Sequence, residues 1–349
     1  MEFEAKKVLI AGGSGLIGYS AAQVFIEKGA FVTSLCLPVG EENKKYFEGM
    51  DLVETDLFES TDEELEDIFT LADYDLFVYA VSPDFREVVT APAKDYFDLR
   101  LRDLTKRILT LVKKVGIKRA VVVSGYLLHF DEQPGTNAIL SSTHPYVNAL
   151  AMQEAEAISL KDENFDVVFA RIPLVFGSLP FEASKWKEFL LDKLQNGAAV
   201  LCPRGGSNMV SARAAGEGVY ACSVNGKSGK KYLIGNSKVS YFDMMSAMFG
   251  TIGDKRKIIP AANWVITSLL TGFKLYLKAN KKDLGLDLTK VGTQILDKNL
   301  YYDCAEDEAE LNYEELGLKT DTDVLLCIKQ MMRYCYPDKF DENGNLLAK

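Results

Sequence analysis

Apolar positions change their period along the chain, and the change marks out the elements. Short, dense apolar runs occur at "KKVLIAG" (6–12), "FVTSLCL" (31–37), "DLVETD" (51–56), "DLFVYAV" (75–81), "KRAVVVSG" (118–125) and "FDVVFARI" (165–172). Runs rich in Val, Ile, Leu and Phe suit strands covered on both faces, as in a parallel sheet. Between them the period lengthens to that of amphipathic helices. "LIGYSAAQVFIEKG" is one such helix, with Gly29 as its left-handed stop, and "STDEELEDIFTLA" is another, with Ser60 and Glu63 at capping-box spacing. A long helix is expected from Pro92 to Val115, where Leu101, Leu104, Ile108, Leu111 and Val115 recur at helical spacing and Gly116 closes it. A further helix starts at Tyr146. Strands alternating with helices predict an α/β fold, a doubly wound parallel sheet.

After Gly177 the alternation loosens. The sheet domain is expected over residues 1–176, with a return segment near 207–235 that contains "KKYLIG". Residues 177–206 and 236–349 are expected to form a smaller C-terminal substrate-binding lobe. A length of 349 residues agrees with this, at roughly 150 residues per domain.

The net charge of −10, with no block of five like charges, excludes a nucleic-acid partner, which needs a basic patch. A small-molecule ligand is expected instead. The six cysteines include no C-x-x-C pair, so free thiols are the reading, and only two histidines are present, which argues against a histidine-rich metal site. "MEFEAKKVLIAGG" carries glutamates where a signal peptide has positive charge, and a cytoplasmic protein is expected. "AANWVITSLLTGFKLYL", from residue 261, is interrupted by Asn263, Gly272 and Lys274 and falls short of the roughly 20 apolar residues that span a bilayer. It reads as a helix lining the second lobe, with attachment to a membrane surface through Lys278, Lys281 and Lys282 as the lesser alternative.

Chemistry enters at "AGGSGLIG", where Gly12, Gly15 and Gly18 fall three apart between the first strand and the first helix. In that context Gly12 permits the turn, Gly15 admits a pyrophosphate to backbone N–H groups, and Gly18 allows close helix packing. The second strand ends in "SLCLPVG", with neither the acid that holds an NAD ribose nor an arginine for a 2'-phosphate, so NAD and NADP both stay open. Lys44 and Lys45 are read as solvated rather than as 2'-phosphate ligands.

With these motifs the chain resembles the extended short-chain dehydrogenase/reductases, the NAD-dependent epimerase/dehydratase family, over nearly its whole length. The resemblance implies a Rossmann-type fold and an NAD or NADP site made by Gly12, Ser14, Gly15, Leu16, Ile17, Gly18, Asp56, Leu57, Ala80, Val81, Ser82, Ser124, Tyr146 and Pro173. "RIPLVFG" (171–177) is similar to a family segment with tyrosine where Phe176 stands, and Arg171 is expected to anchor the sheet edge. A homodimer through the long helix and the Tyr146 helix is also implied.

The family's catalytic pair is Tyr-x-x-x-Lys, in which the lysine charge lowers the tyrosine pKa. Here Tyr146 is followed at the lysine position by Leu150, and the family's Ser-Ser is Ser124-Gly125. The candidates to help Tyr146 are His129 and His144, since an imidazole titrates near neutrality. The alternative for each histidine is a hydrogen-bonded structural residue. Arg86, in "SPDFREVV", is a candidate substrate anchor, with an ion pair to Asp84 or Glu87 as the alternative. Two readings follow: an oxidoreductase or epimerase/dehydratase-like enzyme acting on a small polar carbonyl or hydroxyl compound, and a dinucleotide-binding sensor or scaffold without turnover.

Overall fold

In a computed structural model, which describes residues 6–133, 139–194, 196–235, 237–318, 323–342 and 344–347, the chain builds on a seven-stranded sheet. The six expected strands are β1 (Lys7–Ala11), β2 (Phe31–Cys36), β3 (Asp51–Glu54), β4 (Leu76–Tyr79), β5 (Arg119–Gly125) and β6 (Asp166–Ile172). After β7 (Leu174–Phe176) and β8 (Gly206–Ser211), which lie in another sheet, "KKYLIG" supplies β9 (Lys231–Leu233). The order is β9-β6-β5-β4-β1-β2-β3, and every neighbouring pair is parallel. The winding reverses between β1 and β4. In doubly wound sheets the crevice beyond the strand ends at that point takes the ligand.

Successive side chains of a strand point to opposite faces, and here both faces are dry. The covering helices are α1 (Leu16–Glu27), α2 (Asp62–Phe69), α3 (93–114), α4 (Pro145–Ser159) and α5 (Ala212–Asn225). Val8 and Ile10 join a core with Ala21, Ala22 and Phe25 of α1 and Val219 of α5. Leu9 and Ala11 join another with Leu65 of α2, Ile108 and Val112 of α3 and Ala157 of α4. That is why the strand sequences are apolar without alternation.

Helix ends follow local chemistry. Gly29 and Gly116 take φ of +85° and +94° just past α1 and α3, conformations that cost a side chain but not glycine. The capping box of α2 lies one residue beyond its expected place: Thr61 Oγ1 accepts from Glu64 N–H (3.2 Å) and Glu64 Oε2 from Thr61 N–H (2.9 Å). Ser60 belongs to the preceding turn, its N–H donating to the Asp56 carbonyl at 2.9 Å and its hydroxyl facing Thr55. The long helix α3 is helical throughout, with wider, π-type turns at Asp98–Asp103.

In the second half, β8 pairs with β7, β10 (Ser237–Ser240) and β11 (Asn299–Leu300), while Ala199–Cys202 pairs with Lys257–Pro260. Helices α6 (Tyr241–Thr251), α7 (Asn263–Ala279) and α8 (Val324–Cys335) complete this part. Of α7 only Leu277 is fully buried. No helix among the described residues is long and apolar enough to cross a membrane.

Candidate cofactor and substrate site

The glycine loop joins β1 to α1, and its backbone leaves room for glycine alone at most positions. Gly12 takes φ +84°, and a Cβ there would stand 2.7 Å from the Ala80 carbonyl oxygen. Gly12 and Gly13 N–H both donate to the Leu35 carbonyl, at 2.9 and 3.1 Å, tying the loop to β2. A Cβ on Gly18 would fall 2.2 Å from the Gly12 oxygen, so the first turn of α1 lies against the loop. Gly15 is different. Its backbone is extended (φ −79°, ψ 158°), and a Cβ would touch only the Gly12 oxygen, at 3.3 Å. As the N-cap of α1 it brings no side-chain acceptor, and no acid stands in the first turn. The N–H groups of the first turn, at Leu16, Ile17 and Gly18, have no intrahelical acceptor and face outward at the positive end of the helix, an arrangement suited to a pyrophosphate.

A cavity of about 400 Å³ runs from Gly12, Ser14 and Gly15 past Cys36 to Asp56 and Leu57, and along Ala80, Val81 and Ser82. Asp56 Oδ1 accepts from Phe58 N–H at 2.8 Å, which shapes the turn after β3. Leu35, Leu57 and Phe58 give this end an apolar wall. Arg100 of α3 also lines it, its guanidinium 4.1 Å from the Tyr96 ring centre and 5.0 Å from Phe58. The i, i+4 spacing of Tyr96 and Arg100 is the sequence signal for this contact. Lys44 pairs with Glu41 at 2.5 Å and Lys45 lies over the Tyr46 ring, both exposed and outside the cavity.

A second cavity, of about 510 Å³, is lined by Gly125, Tyr146, Leu150 and Pro173 on the sheet side. Tyr146 lines this cavity and lies beside Ser82, a residue of the first cavity, so it stands between the two. Tyr146 is held by Phe97 (ring centres 5.5 Å apart, edge-on) and Phe85 (5.6 Å), and its N–H donates to the Gly285 carbonyl at 2.9 Å. Burial pushes its phenol up to about 12, against a smaller lowering by the neighbouring Ser82 side chain. Leu150 is 2 % exposed, and a Cβ on Gly125 would stand 2.6 Å from its Cδ1. The two positions therefore pack as one: the leucine occupies the space that a side chain at 125 would need.

Several expected site residues are drawn elsewhere. Ser124, expected at the cofactor, lines neither cavity; its hydroxyl donates to Glu154 Oε1 at 2.7 Å. Arg171 forks onto the same carboxylate (2.9 and 2.7 Å) and onto Glu132 (2.5 and 2.8 Å). Burial works to raise the Glu132 carboxyl, and Arg171 with Lys231 overcomes it, holding it at about 2. His144 is 1 % exposed, with Nδ1 accepting from Asp287 N–H at 3.0 Å. His129 packs edge-on against Phe130 and Tyr302 and lies 3.1 Å from the Gln133 amide nitrogen through Nε2. Burial lowers both histidine pKa values, and neither ring lines either cavity. His129 is held by Phe130, Gln133 and Tyr302 and His144 by the segment around Asp287, so proximity to Tyr146 in sequence did not mean proximity to the cavity.

Arg86 combines its two readings. It lines the second cavity and is also paired with Asp84, Nε to Oδ1 at 2.8 Å and Nη2 to Oδ2 at 2.6 Å. Its guanidinium stacks on Trp186 (4.5 Å), Phe189 (4.9 Å) and Phe85 (5.4 Å). Nη1 is buried with no hydrogen-bond partner among the described residues.

Residues 8–212 match the model of the NAD dependent epimerase/dehydratase family. No curated protein matches the sequence. Among solved structures the fold is similar to that of gox2253 (TM-score 0.72, 14 % identity, covering 95 % of this chain and 98 % of that one). It is also similar to a nucleoside-diphosphate-sugar epimerase from Pseudomonas aeruginosa (TM-score 0.69, 14 % identity, 95 % and 97 % covered). A third is UDP-glucuronic acid 4-epimerase from Bacillus cereus in complex with UDP-glucuronic acid and NAD (TM-score 0.66, 13 % identity, 95 % and 99 % covered).

Proposed function

The chain belongs to the NAD dependent epimerase/dehydratase family, and from that membership we propose that it is an NAD-dependent oxidoreductase or epimerase-like enzyme acting on a carbonyl or hydroxyl compound. The observation that carries this reading is the placing of Tyr146 between the glycine-loop cavity and the second cavity. The first cavity fits a dinucleotide. The open N-terminus of α1 takes the pyrophosphate at Gly12, Ser14, Gly15, Leu16, Ile17 and Gly18; Asp56 and Leu57 border the adenine; Ala80, Val81, Ser82 and Pro173 border the nicotinamide half. NAD is proposed over NADP because Arg100, the cation lining that cavity, is engaged on two aromatic rings. The bound cofactor supplies the hydride.

Tyr146 supplies the proton. With a pKa of about 12 it keeps its hydroxyl at neutral pH, so it orients a carbonyl oxygen by donating to it. An alkoxide is a stronger base than this phenolate, so the proton passes from Tyr146 to the substrate oxygen as reduction proceeds. The reverse reaction needs the phenolate, which is scarce at pH 7. Carbonyl reduction is therefore the favoured direction. Arg86 Nη1 is a further donor beside the substrate, and the two histidines support the loops behind the site.

One observation favours the second reading, a dinucleotide-binding sensor or scaffold: Leu150 fills the lysine position and nothing lowers the Tyr146 phenol to the neutral range. Calorimetry with NAD+, NADH and their 2'-phosphorylated forms tests the cofactor, and single-turnover NADH oxidation separates enzyme from scaffold. No binding of any of them refutes both readings. We also propose a two-fold dimer through α3 and α4, which leave Leu99 (43 %), Met152 (41 %) and Ile158 (37 %) exposed; a monomer mass in light scattering at micromolar concentration refutes it.

A further inference from the structure

The second cavity has almost no polar chemistry. Its walls are Leu127, Leu174, Leu190, Met244, Met245 and Leu270 with further aliphatic and aromatic side chains, and Arg86 is the charged residue among them. Arg86 is already neutralised by the Asp84 fork. The Tyr126 hydroxyl accepts from Ser207 Oγ at 2.7 Å, and the Tyr146 side chain lies beside Ser82 at the edge of the cavity. A sugar or a nucleotide diphosphate would bury many hydroxyls or charges here, each needing a partner that this wall does not provide. Its size, about 510 Å³, lies in the range of pockets that enclose ligands of drug size.

The mouth of the cavity tells the same story. Leu201 and Leu269 line it while remaining 38 % and 58 % exposed, so the entrance itself is apolar. Leu269 belongs to α7, which also lines the cavity with Ile266 and Leu270 and leaves Trp264 74 %, Leu275 65 % and Tyr276 64 % exposed. An apolar wall that is apolar on its outer side as well suits entry of a lipophilic molecule.

We propose that the substrate is a lipophilic carbonyl compound, an apolar body with its oxygen at Tyr146, and not a sugar nucleotide. This rests on the reading of the chain as an oxidoreductase, and in that reaction hydride adds to the carbonyl carbon as the Tyr146 proton goes to its oxygen, leaving an alcohol and oxidised cofactor. The aliphatic walls exclude water from the body of the ligand, and the hydrogen-bonding groups at Tyr146 and Arg86 set which end enters first.

The test uses prodan, a neutral naphthyl ketone whose emission shifts to the blue in apolar surroundings. Titrated into the full-length protein it should bind once per chain, with a blue shift, and be displaced by dodecanal but not by UDP-glucose. Leu270→Trp, which fills the cavity, should weaken prodan at least tenfold and leave NAD+ affinity unchanged. Trp264→Ser, on the outer face of α7, should leave prodan binding as it was. Absence of prodan binding, displacement by UDP-glucose, or loss of binding in Trp264→Ser with none in Leu270→Trp overturns the proposal. Prodan binding by a protein that binds no NAD+ or NADH overturns the oxidoreductase reading and upholds the apolar site, so the two failures are distinguishable.

Discussion

The glycine loop and the Tyr146 pocket follow opposite rules. At the glycine loop, a Cβ would stand 2.7 Å from backbone at Gly12 and 2.2 Å at Gly18, which excludes any side chain, whereas at Gly15 it would meet only the Gly12 oxygen, at 3.3 Å. At the Tyr146 end, Gly125 lies under Leu150, and burial drives the tyrosine phenol up to about 12. One end is built to receive charge and the other to exclude it. A pyrophosphate needs oriented N–H groups whatever the substrate, whereas the acid–base group must suit the ligand beside it. The packing that shapes the loop and the packing that surrounds the tyrosine are therefore separate, and each can vary without the other.

Removing the Tyr146 hydroxyl is the strongest way to break that contrast. Tyr146→Phe is expected to lower the turnover of carbonyl reduction about 10²-fold to 10⁴-fold with NAD+ affinity unchanged, read by stopped-flow NADH oxidation and calorimetry. In the wild type, reduction should be nearly flat around neutrality while alcohol oxidation keeps climbing with pH, because the phenolate appears only toward pH 12. Equal turnover in the phenylalanine variant would remove Tyr146 from the chemistry.

The coupling of the two replaced positions comes next. Gly125→Ser forces a side chain against Leu150 and should destabilise by about 1–3 kcal/mol, the usual cost of overpacking. Combined with Leu150→Ala the loss should be less than the sum, with a coupling on the order of 0.5–3 kcal/mol. Additive urea-denaturation values would show that the two residues were not exchanged as a unit.

At the other end, Gly15→Val should fold normally and weaken NAD+ at least tenfold, about 1.4 kcal/mol, by crowding the open N-cap of α1. An unchanged dissociation constant would mean that the pyrophosphate lies elsewhere.

The smallest effect concerns the histidines. Burial lowers the folded pKa of His144 below its unfolded value near 6.5, so the unfolded chain binds the extra proton first. Its contribution is whole above that pH and declines as the pH falls from it toward the lowered folded value. The urea midpoint should therefore drop on going from pH 7.5 to 5.5, and less so in His144→Asn, whose amide oxygen replaces the Nδ1 acceptor. If turnover, and not stability, follows this titration, the histidine belongs with the chemistry after all.

Much of the scaffold was legible because it rests on local rules. Unbroken apolar runs mark β1 to β6, and glycines at 12, 15 and 18 mark the loop. The capping box at Thr61 and Glu64 shows the limit of such rules, since Ser60 and Glu63 have the same spacing and only the turn at Asp56 decides between them. The contacts of Ser124, His129 and His144 were beyond reach for a like reason: a residue near Tyr146 in sequence can face Glu154, Gln133 or Asp287 instead.

What the sequence by itself determined was the alternation of strand and helix and the positions where a side chain is forbidden, because both follow from backbone geometry and from the period of burial within a few residues. Which side chains share a cavity was decided by the tertiary structure. Leu150 meets Gly125 across 25 positions, and Tyr146, Leu201 and Leu270 line one apolar space from three separate elements, a juxtaposition that no local pattern of hydrophobic residues encodes.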